Sequence, residues 1–256
     1  MQIPINELSL FFPCHNEAEN LDALVAEAVS ALPTLVERYE VILVDDGSTD
    51  ATPAVAARLE AAHPNVVRVI RHDINRGYGG ALRSGFGGAR YEWIAFTDGD
   101  RQFRVADLAA LISAVPNSET VALGHRIKRA DPALRKIYAA IYRVANRVWF
   151  GLLVHDVDCA MKLFPRTALH GVAVASSGAF FSAELLIKLR ARGVQMVEVG
   201  VPHFPRVAGS ASGARPSVVF AAVRDFWSLR GALWFRRASA LARRNQSAPR
   251  LSLIHI

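Results

Sequence analysis

Two carboxylates, Asp98 and Asp100, are separated by Gly99 and follow the apolar run Tyr91-Glu92-Trp93-Ile94-Ala95-Phe96-Thr97. A run of that kind reads as a short buried strand of a parallel sheet. Carboxylates at its carboxyl end project into the crevice where open α/β sheets bind ligands. Held that close, two anions repel unless a cation bridges them, and hard carboxylate oxygens suit Mg2+ or Mn2+. Such an ion usually shares its other positions with substrate phosphates. The spacing therefore suits a metal–diphosphate group. A polar turn closing a strand is the plain alternative, since Asp and Gly are ordinary turn residues.

Three other strand ends carry candidate chemistry. Pro13-Cys14-His15-Asn16-Glu17 follows the first apolar run, where a dinucleotide-binding protein would place Gly-x-Gly-x-x-Gly. That fingerprint is absent, so a dehydrogenase loses its main support. Asp45-Asp46-Gly47-Ser48-Thr49-Asp50 follows the second run, and an Asp there can accept from a base N–H or a ribose hydroxyl. Asn75-Arg76-Gly77-Tyr78-Gly79-Gly80 opens a helix whose N-terminus could face an anion. Taken singly, these are equally well an N-cap, an Asx turn and a Gly-rich turn. Arg126, Arg129, Arg135 and Lys136 form a basic cluster fit for a phosphate, or else a solvated loop.

The elements that must hold these residues are legible as alternation. Strands are expected at 8–13, 41–44, 66–70 and 93–97, with helices at 20–32, from a Ser48 or Thr49 cap through 59, at 79–89 and at 105–115. Pro53 is tolerated in the first turn of the second helix. Repeated βα units with short connections imply a parallel sheet with right-handed crossovers. A strand at 121–124 and a helix from about 133 to 150 follow. Leu134, Ile137, Tyr138, Ile141, Val144, Ala145 and Val148 make an apolar face on that helix. A short strand at 163–164, a helix at 183–192 and a strand at 196–201 complete the sheet. Segment 206–216 is loop-like, and 217–237 is a helix with Val219, Phe220, Val223, Phe226, Trp227, Leu229, Leu233 and Trp234 apolar.

Bulk properties exclude several classes. The 256 residues are 52% hydrophobic and 21% charged, which is neither disordered nor fibrous. Cys14 and Cys159 form no disulfide framework or zinc spacing, as suits a reducing compartment. Neither a signal peptide nor an apolar stretch of the ~18–20 residues that span a bilayer is found. The net charge of +7 is uneven: residues 217–256 hold seven Arg and one acid, Asp225, for +6, leaving +1 on the first 216. The charge is a local patch, which argues against a nucleic-acid-binding body.

The order Pro-x-x-Asn-Glu, Val-Asp-Asp-Gly-Ser-x-Asp, Asn-x-Gly-x-Gly-x-Ala and Asp-x-Asp at four successive strand ends resembles the family 2 inverting glycosyltransferases of GT-A fold. The similarity extends to about residue 235. Asp156-Val-Asp-Cys-Ala-Met-Lys162-Leu-Phe164, Glu184-Leu185 and His203-Phe-Pro-Arg206-x-x-Gly209-Ser210 resemble the branch that loads polyprenyl phosphates, which includes dolichol-phosphate mannosyl- and glucosyltransferases. Ala160 stands where many members have Gly, and Gly124-His125-Arg126 departs from the usual Gly-Ser-Arg.

The resemblance implies an α/β GT-A domain over 1–216, with a mostly parallel sheet flanked by helices. The aromatic and aliphatic face at 217–250, bordered by Arg, suits a basic amphipathic membrane-interface segment, with a core-packing helix of basic exposed side as the alternative. The resemblance further implies that Pro13, Asn16, Glu17 and Asp46 surround the nucleotide's base and ribose, with Gln102 in the donor loop. Asp98 and Asp100 would hold Mg2+ or Mn2+ on the diphosphate. Arg126 and Arg135 would hold the acceptor phosphate, Asp156 would be an acid at the reaction centre, and Arg206 would close over the donor. The implied reaction is inverting transfer of a hexose, mannose or glucose, from a GDP- or UDP-sugar to polyprenyl phosphate. The enzyme would lie peripherally on an anionic membrane surface at the cytoplasmic face, with no nucleic-acid partner.

Three rivals differ in chemistry. A sugar or protein hydroxyl acceptor needs a base such as Asp156. A non-catalytic nucleotide-sugar-binding module would not need the Asp-x-Asp pair, Asp156 and the basic cluster together. A nucleotidyltransferase wants a Gly-rich loop after the first strand, which 13–17 does not supply. Finally, Leu251-Ser-Leu-Ile-His-Ile256 matches a translation of a sequencing adapter, so the native C-terminus is expected to differ.

Overall fold

A computed structural model describes residues 5–127, 133–206 and 216–246, without the side chains of 133–138, 216 and 234–246. Seven strands, β1 (Glu7–Cys14), β2 (Arg38–Asp46), β3 (Val67–His72), β4 (Trp93–Phe96), β5 (Val121–Arg126), β6 (Lys162–Pro165) and β7 (Met196–Val201), form one sheet in the order β3-β2-β1-β4-β6-β5-β7. The helices are α1 (Ala18–Ala31), α2 (Thr52–Ala62), α3 (Tyr78–Gly88), α4 (Leu108–Ala114), α5 (Ala133–Phe150), α6 (Arg166–Leu169), α7 (Phe181–Ala191) and α8 (Pro216–Gln246). All pairings are parallel except those of β6, which runs against both β4 and β5.

The strands read as continuous apolar runs because helices cover both faces of a parallel sheet. Leu8 to Cys14 of β1 are buried without interruption between β2 and β4. Phe11 stacks on Phe96 at 5.3 Å, and Phe86 of α3 meets Phe11 edge-on at 5.0 Å. Gly85 permits that approach, since a Cβ there would lie 2.2 Å from the Phe11 ring. Such aromatic pairs add about 0.5–1.5 kcal/mol each beyond their burial.

One expectation is corrected. Ser48 and Thr49 do not cap α2, which begins at Thr52 with Pro53 in its first turn. Asn16 Oδ1 accepts from the Thr49 amide at 2.8 Å and the Asp50 amide at 3.3 Å, holding those residues in the loop. The apolar stripe of α5 is split between core and surface. Ile141, Val144 and Val148 are 60%, 56% and 70% exposed, while Tyr142, Ala145 and Phe150 pack on the core and Asn146 is fully buried. The covered face lies about one residue, or 100°, around the helix from the exposed part of the stripe.

Helix α8 is divided in the same manner. Phe226 and Leu229 are buried in the common core, with Phe226 against Phe150 at 4.9 Å, whereas Phe220 and Trp227 are 74% and 53% exposed. Trp149 and Trp227 meet at 5.3 Å, so α5 and α8 present one joined apolar surface.

Candidate active site

The sheet's directions gather the site. β1 to β5 and β7 run in parallel, so the segments beginning at 15, 47, 73, 97, 127 and 202 all leave at one edge. β6 is reversed: Lys162 pairs with Phe96, and the 156–161 segment enters at that same edge. This one reversal brings Asp156 to the rim that carries Asp98 and Asp100.

At the centre, Asp98 Oδ1 accepts from the Tyr78 hydroxyl at 2.9 Å. Burial, and then the charge of Asp100, push the Asp98 carboxyl up to about 7, against the pull of Tyr78, Lys162 and Arg206. Burial raises Tyr78 as well, so its phenol remains a donor. Asp100 is 3% exposed; its Oδ1 accepts from the Gln102 amide at 3.1 Å and its Oδ2 from Arg206 Nη2 at 2.6 Å. Two hard-oxygen anions, one of them resisting ionisation beside the other, fit a divalent cation. Among the described residues no group of three or more His, Cys, Asp or Glu gathers to hold a metal. The pair would thus complete an ion's shell with ligand phosphates and water.

Lys162 is a site residue that sequence reasoning missed. It is fully buried, donates to the Cys159 carbonyl and lies 5.5 Å from the Phe96 ring centre. Burial lowers its pKa, while Cys159, Asp156, Asp158 and Asp98 favour its charge. It joins the Asp98 side of the rim to the Asp156 side. The signal was present: a lysine inside an otherwise apolar strand needs buried anions. Both cysteines are buried with thiols pushed up, Cys159 to about 12, so neither serves as a nucleophile.

Around the ends of β1 and β2, Pro13 lies beside Val44. Asn16, at φ 57°, ties its loop to the next one through Ser48, Thr49 and Asp50. The Glu17 carboxyl, raised by burial, accepts from Asn20 and reaches Arg206 at 3.5 Å. Asp46 Oδ1 lies 2.6 Å from His72 Nδ1 and accepts from the Arg76 amide at 2.8 Å; Ser84 is 2.8 Å from the other His72 nitrogen. Its neighbour Asp45 is different. Asp45 Oδ1 accepts from Ser48, but Oδ2 is buried with no hydrogen-bond partner, and Arg71 Nε is 3.7 Å away. Strand alternation sends the two carboxylates to opposite faces, and the unsatisfied acceptor belongs to Asp45, which the expectation passed over.

The Gly79 amide donates to the Ser177 carbonyl at 2.8 Å and the Gly77 amide to Asn75, so these donors are taken by the protein. Gly77 sits at φ 80°, and a Cβ there would lie 2.7 Å from the Ser177 carbonyl.

On the other side, Arg126 grips Asp156 with Nε and Nη2 at 2.6 and 2.7 Å, both side chains 8% exposed. Burial opposes the guanidinium's charge, and the Asp156 contact overrides it. The expected phosphate ligand is thus already clamped to the expected reaction-centre acid. Asp158, exposed and electrostatically coupled to Tyr78, Tyr142 and Lys162, is a second acid here that sequence reasoning missed. Arg135 falls in the first turn of α5, and its side chain lies outside the described residues, as do Arg129 and Lys136.

The sheet order, with one reversed strand and an acidic pair at the rim, defines a GT-A sugar-nucleotide transferase architecture. Residues 9–172 match the model of glycosyl transferase family 2, and the chain belongs to that family of enzymes. Polyprenol monophosphomannose synthase of Mycolicibacterium smegmatis is 29% identical over 90% of both chains. Dodecaprenyl-phosphate galacturonate synthase of Rhizobium johnstonii is 34% identical over 62% of this chain, and human dolichyl-phosphate beta-glucosyltransferase 34% over 64%. The chain spans only 47% and 56% of those two proteins. Glucosyl-3-phosphoglycerate synthase of Mycobacterium tuberculosis, solved with Mn2+, uridine diphosphate and glucosyl-3-phosphoglycerate, shares the fold. The TM-score is 0.68 over 89% of this chain and 81% of that one, at 18% identity.

Proposed function

We propose that this enzyme transfers a hexose from a nucleoside-diphosphate sugar to a polyprenyl phosphate, with inversion, at a membrane surface. The carrying observation is the placement of α5. This helix is inserted in the chain between Arg126 and Asp156, and its apolar stripe is exposed and continuous with that of α8. A lipid acceptor needs its phosphate at the rim and its chain in a bilayer. A helix that leaves the rim and turns Ile141, Val144, Val148 and Trp149 outward suits both needs. No helix among the described residues is long and apolar enough to cross a membrane.

Asp98 and Asp100 are the residues that would hold Mg2+ or Mn2+. When bound, that ion would supply Lewis-acid stabilisation of the departing diphosphate. Asp46 would face the nucleotide, with Glu17 and Gln102 flanking it. An acceptor phosphate oxygen forms the new bond to the anomeric carbon as the bond to the diphosphate oxygen breaks, which inverts configuration without a covalent sugar–enzyme species. A phosphate is already ionised, so no strong base is required. Both Asp156 oxygens already accept from Arg126, a poor arrangement for taking a proton from an alcohol. That supports a phosphate acceptor over a hydroxyl.

The relatives' names include mannose, galacturonate and glucose, so the sugar is a matter for assay. Purified protein would be incubated with short-chain polyprenyl phosphate and labelled GDP- and UDP-sugars, with Mn2+ or chelator. One donor should label the lipid, and only with the metal. Labelling of a hydroxyl acceptor in the absence of any lipid phosphate would overturn the reading.

A further inference from the structure

Arg206 occupies the carboxylate that a metal would need. Its Nη2 lies 2.6 Å from Asp100 Oδ2, and its Nη1 is 3.5 Å from Glu17 Oε1. Gln102 takes the other Asp100 oxygen, so the described contacts already engage both. The strap that carries Arg206, residues 202–206 after β7, is laced to the loop that carries Asp100. Phe204 N–H donates to the Gln102 carbonyl at 2.9 Å, and Gln102 Nε2 donates to the Phe204 carbonyl at 3.1 Å. Arg104 stacks over the Phe204 ring at 4.5 Å, and Phe103 meets His203 edge-on at 5.2 Å.

Mg2+ sits roughly 2.0–2.1 Å from a carboxylate oxygen. A guanidinium in hydrogen-bond contact with the same oxygen would face it as a close like charge. The two cations therefore compete for Asp100. A diphosphate arriving with the ion offers Arg206 new oxygens, which planar guanidinium recognises bidentately.

We propose that Arg206 is a positioning residue that serves as resident counter-cation of Asp100 in the donor-free enzyme. The incoming metal–diphosphate displaces it onto the diphosphate, so that metal alone binds weakly and metal with nucleotide binds well. This rests on the proposed metal–donor site.

Manganese binding by the full chain, followed by loss of the free-Mn2+ EPR signal, tests it without turnover. Arg206→Gln should bind Mn2+ alone roughly tenfold more tightly than wild type, within the usual span of coupling between sites. With Mn2+ present it should bind UDP or GDP more weakly. Arg58→Gln removes a charge from an exposed pair with Asp22, with no described contact to the strap or to a site carboxylate, and should change neither affinity. Unchanged or weaker Mn2+ binding in Arg206→Gln, where wild-type binding is lost in Asp100→Asn, overturns the exchange alone. Equal tightening in Arg58→Gln overturns it too, by showing a general charge effect. Absence of Mn2+ binding in every variant, with or without nucleotide, overturns the underlying metal site and the exchange with it.

Discussion

Asp98 illustrates how a buried pair of carboxylates costs stability. Its carboxyl is pushed up to about 7 by burial and by Asp100, whereas an unfolded chain would ionise it near ~3.9. Between those values the folded state keeps a proton the unfolded state has released. Stability of the metal-free protein therefore falls as pH rises from about 4 to 7, and stays reduced above. Asp98→Asn should raise the Tm of the chelator-treated protein at pH 8 by about 4 °C, roughly 1–2 kcal/mol, and leave it unchanged near pH 4. It should also abolish donor-dependent turnover. An unaltered Tm difference across that pH range, followed by calorimetry, would remove the acidic pair as the source.

Arg126 and Asp156 make a second residue-scale case. Removing one member of a buried pair strands the other charge, at roughly 3–5 kcal/mol. Arg126→Ala should show that loss in denaturant unfolding, and it should raise the acceptor KM more than the donor KM. Arg126→Met with Asp156→Leu should recover much of the stability and none of the activity. Recovery of activity in the double variant would contradict a role at the reaction centre.

At the scale of elements, α5 and α8 separate packing from surface seating on the same helices. Phe226 is buried among Phe150 and Phe180, so Phe226→Ala should cost about 3–5 kcal/mol. Ile141→Glu and Val148→Glu alter exposed positions, where stability changes stay within about 0.5 kcal/mol. Both should weaken co-sedimentation with lipid vesicles severalfold while leaving Tm unmoved. Full vesicle binding by the double variant would leave the stripe without that role. The sequence correctly marked these helices and their apolar residues, because a 3.6-residue period is a local property. It did not say what would cover them: the core takes Ala145 of the α5 stripe together with Tyr142, Asn146 and Phe150, and leaves Ile141, Val144 and Val148 outside.

For the whole molecule, charge and apolar surface lie toward the same end of the chain. Residues 217–256 carry +6 of the net +7, and the exposed positions of α8 fall within this stretch. Binding to anionic vesicles should weaken markedly between 0.1 and 1 M salt, as the Debye length falls from about 10 to 3 Å. A salt-resistant remainder should persist through the apolar stripe and vanish in Ile141→Glu/Val148→Glu. Salt-independent binding, or none to anionic lipid, would sink the combined surface. The sheet gives the molecule its other large-scale property: one rim where the loops carrying Asp46, Asp98, Asp100 and Asp156 emerge, next to the start of α5.

The amino-acid order by itself determined the alternation of strands and helices, the Asp-x-Asp pair at a strand end, and the family to which the chain belongs. Each is written in neighbouring residues, where apolar runs and turn residues act through short-range geometry. Tertiary structure alone decided which charge each charge would meet. Arg206 finds Glu17 across 189 positions, Arg126 finds Asp156, and Asp46 turns to His72 while Asp45 is left with an unsatisfied oxygen. It also decided the reversal of β6 that gathers them. Those outcomes depend on packing and on the desolvation of particular atoms, and no local pattern encodes either.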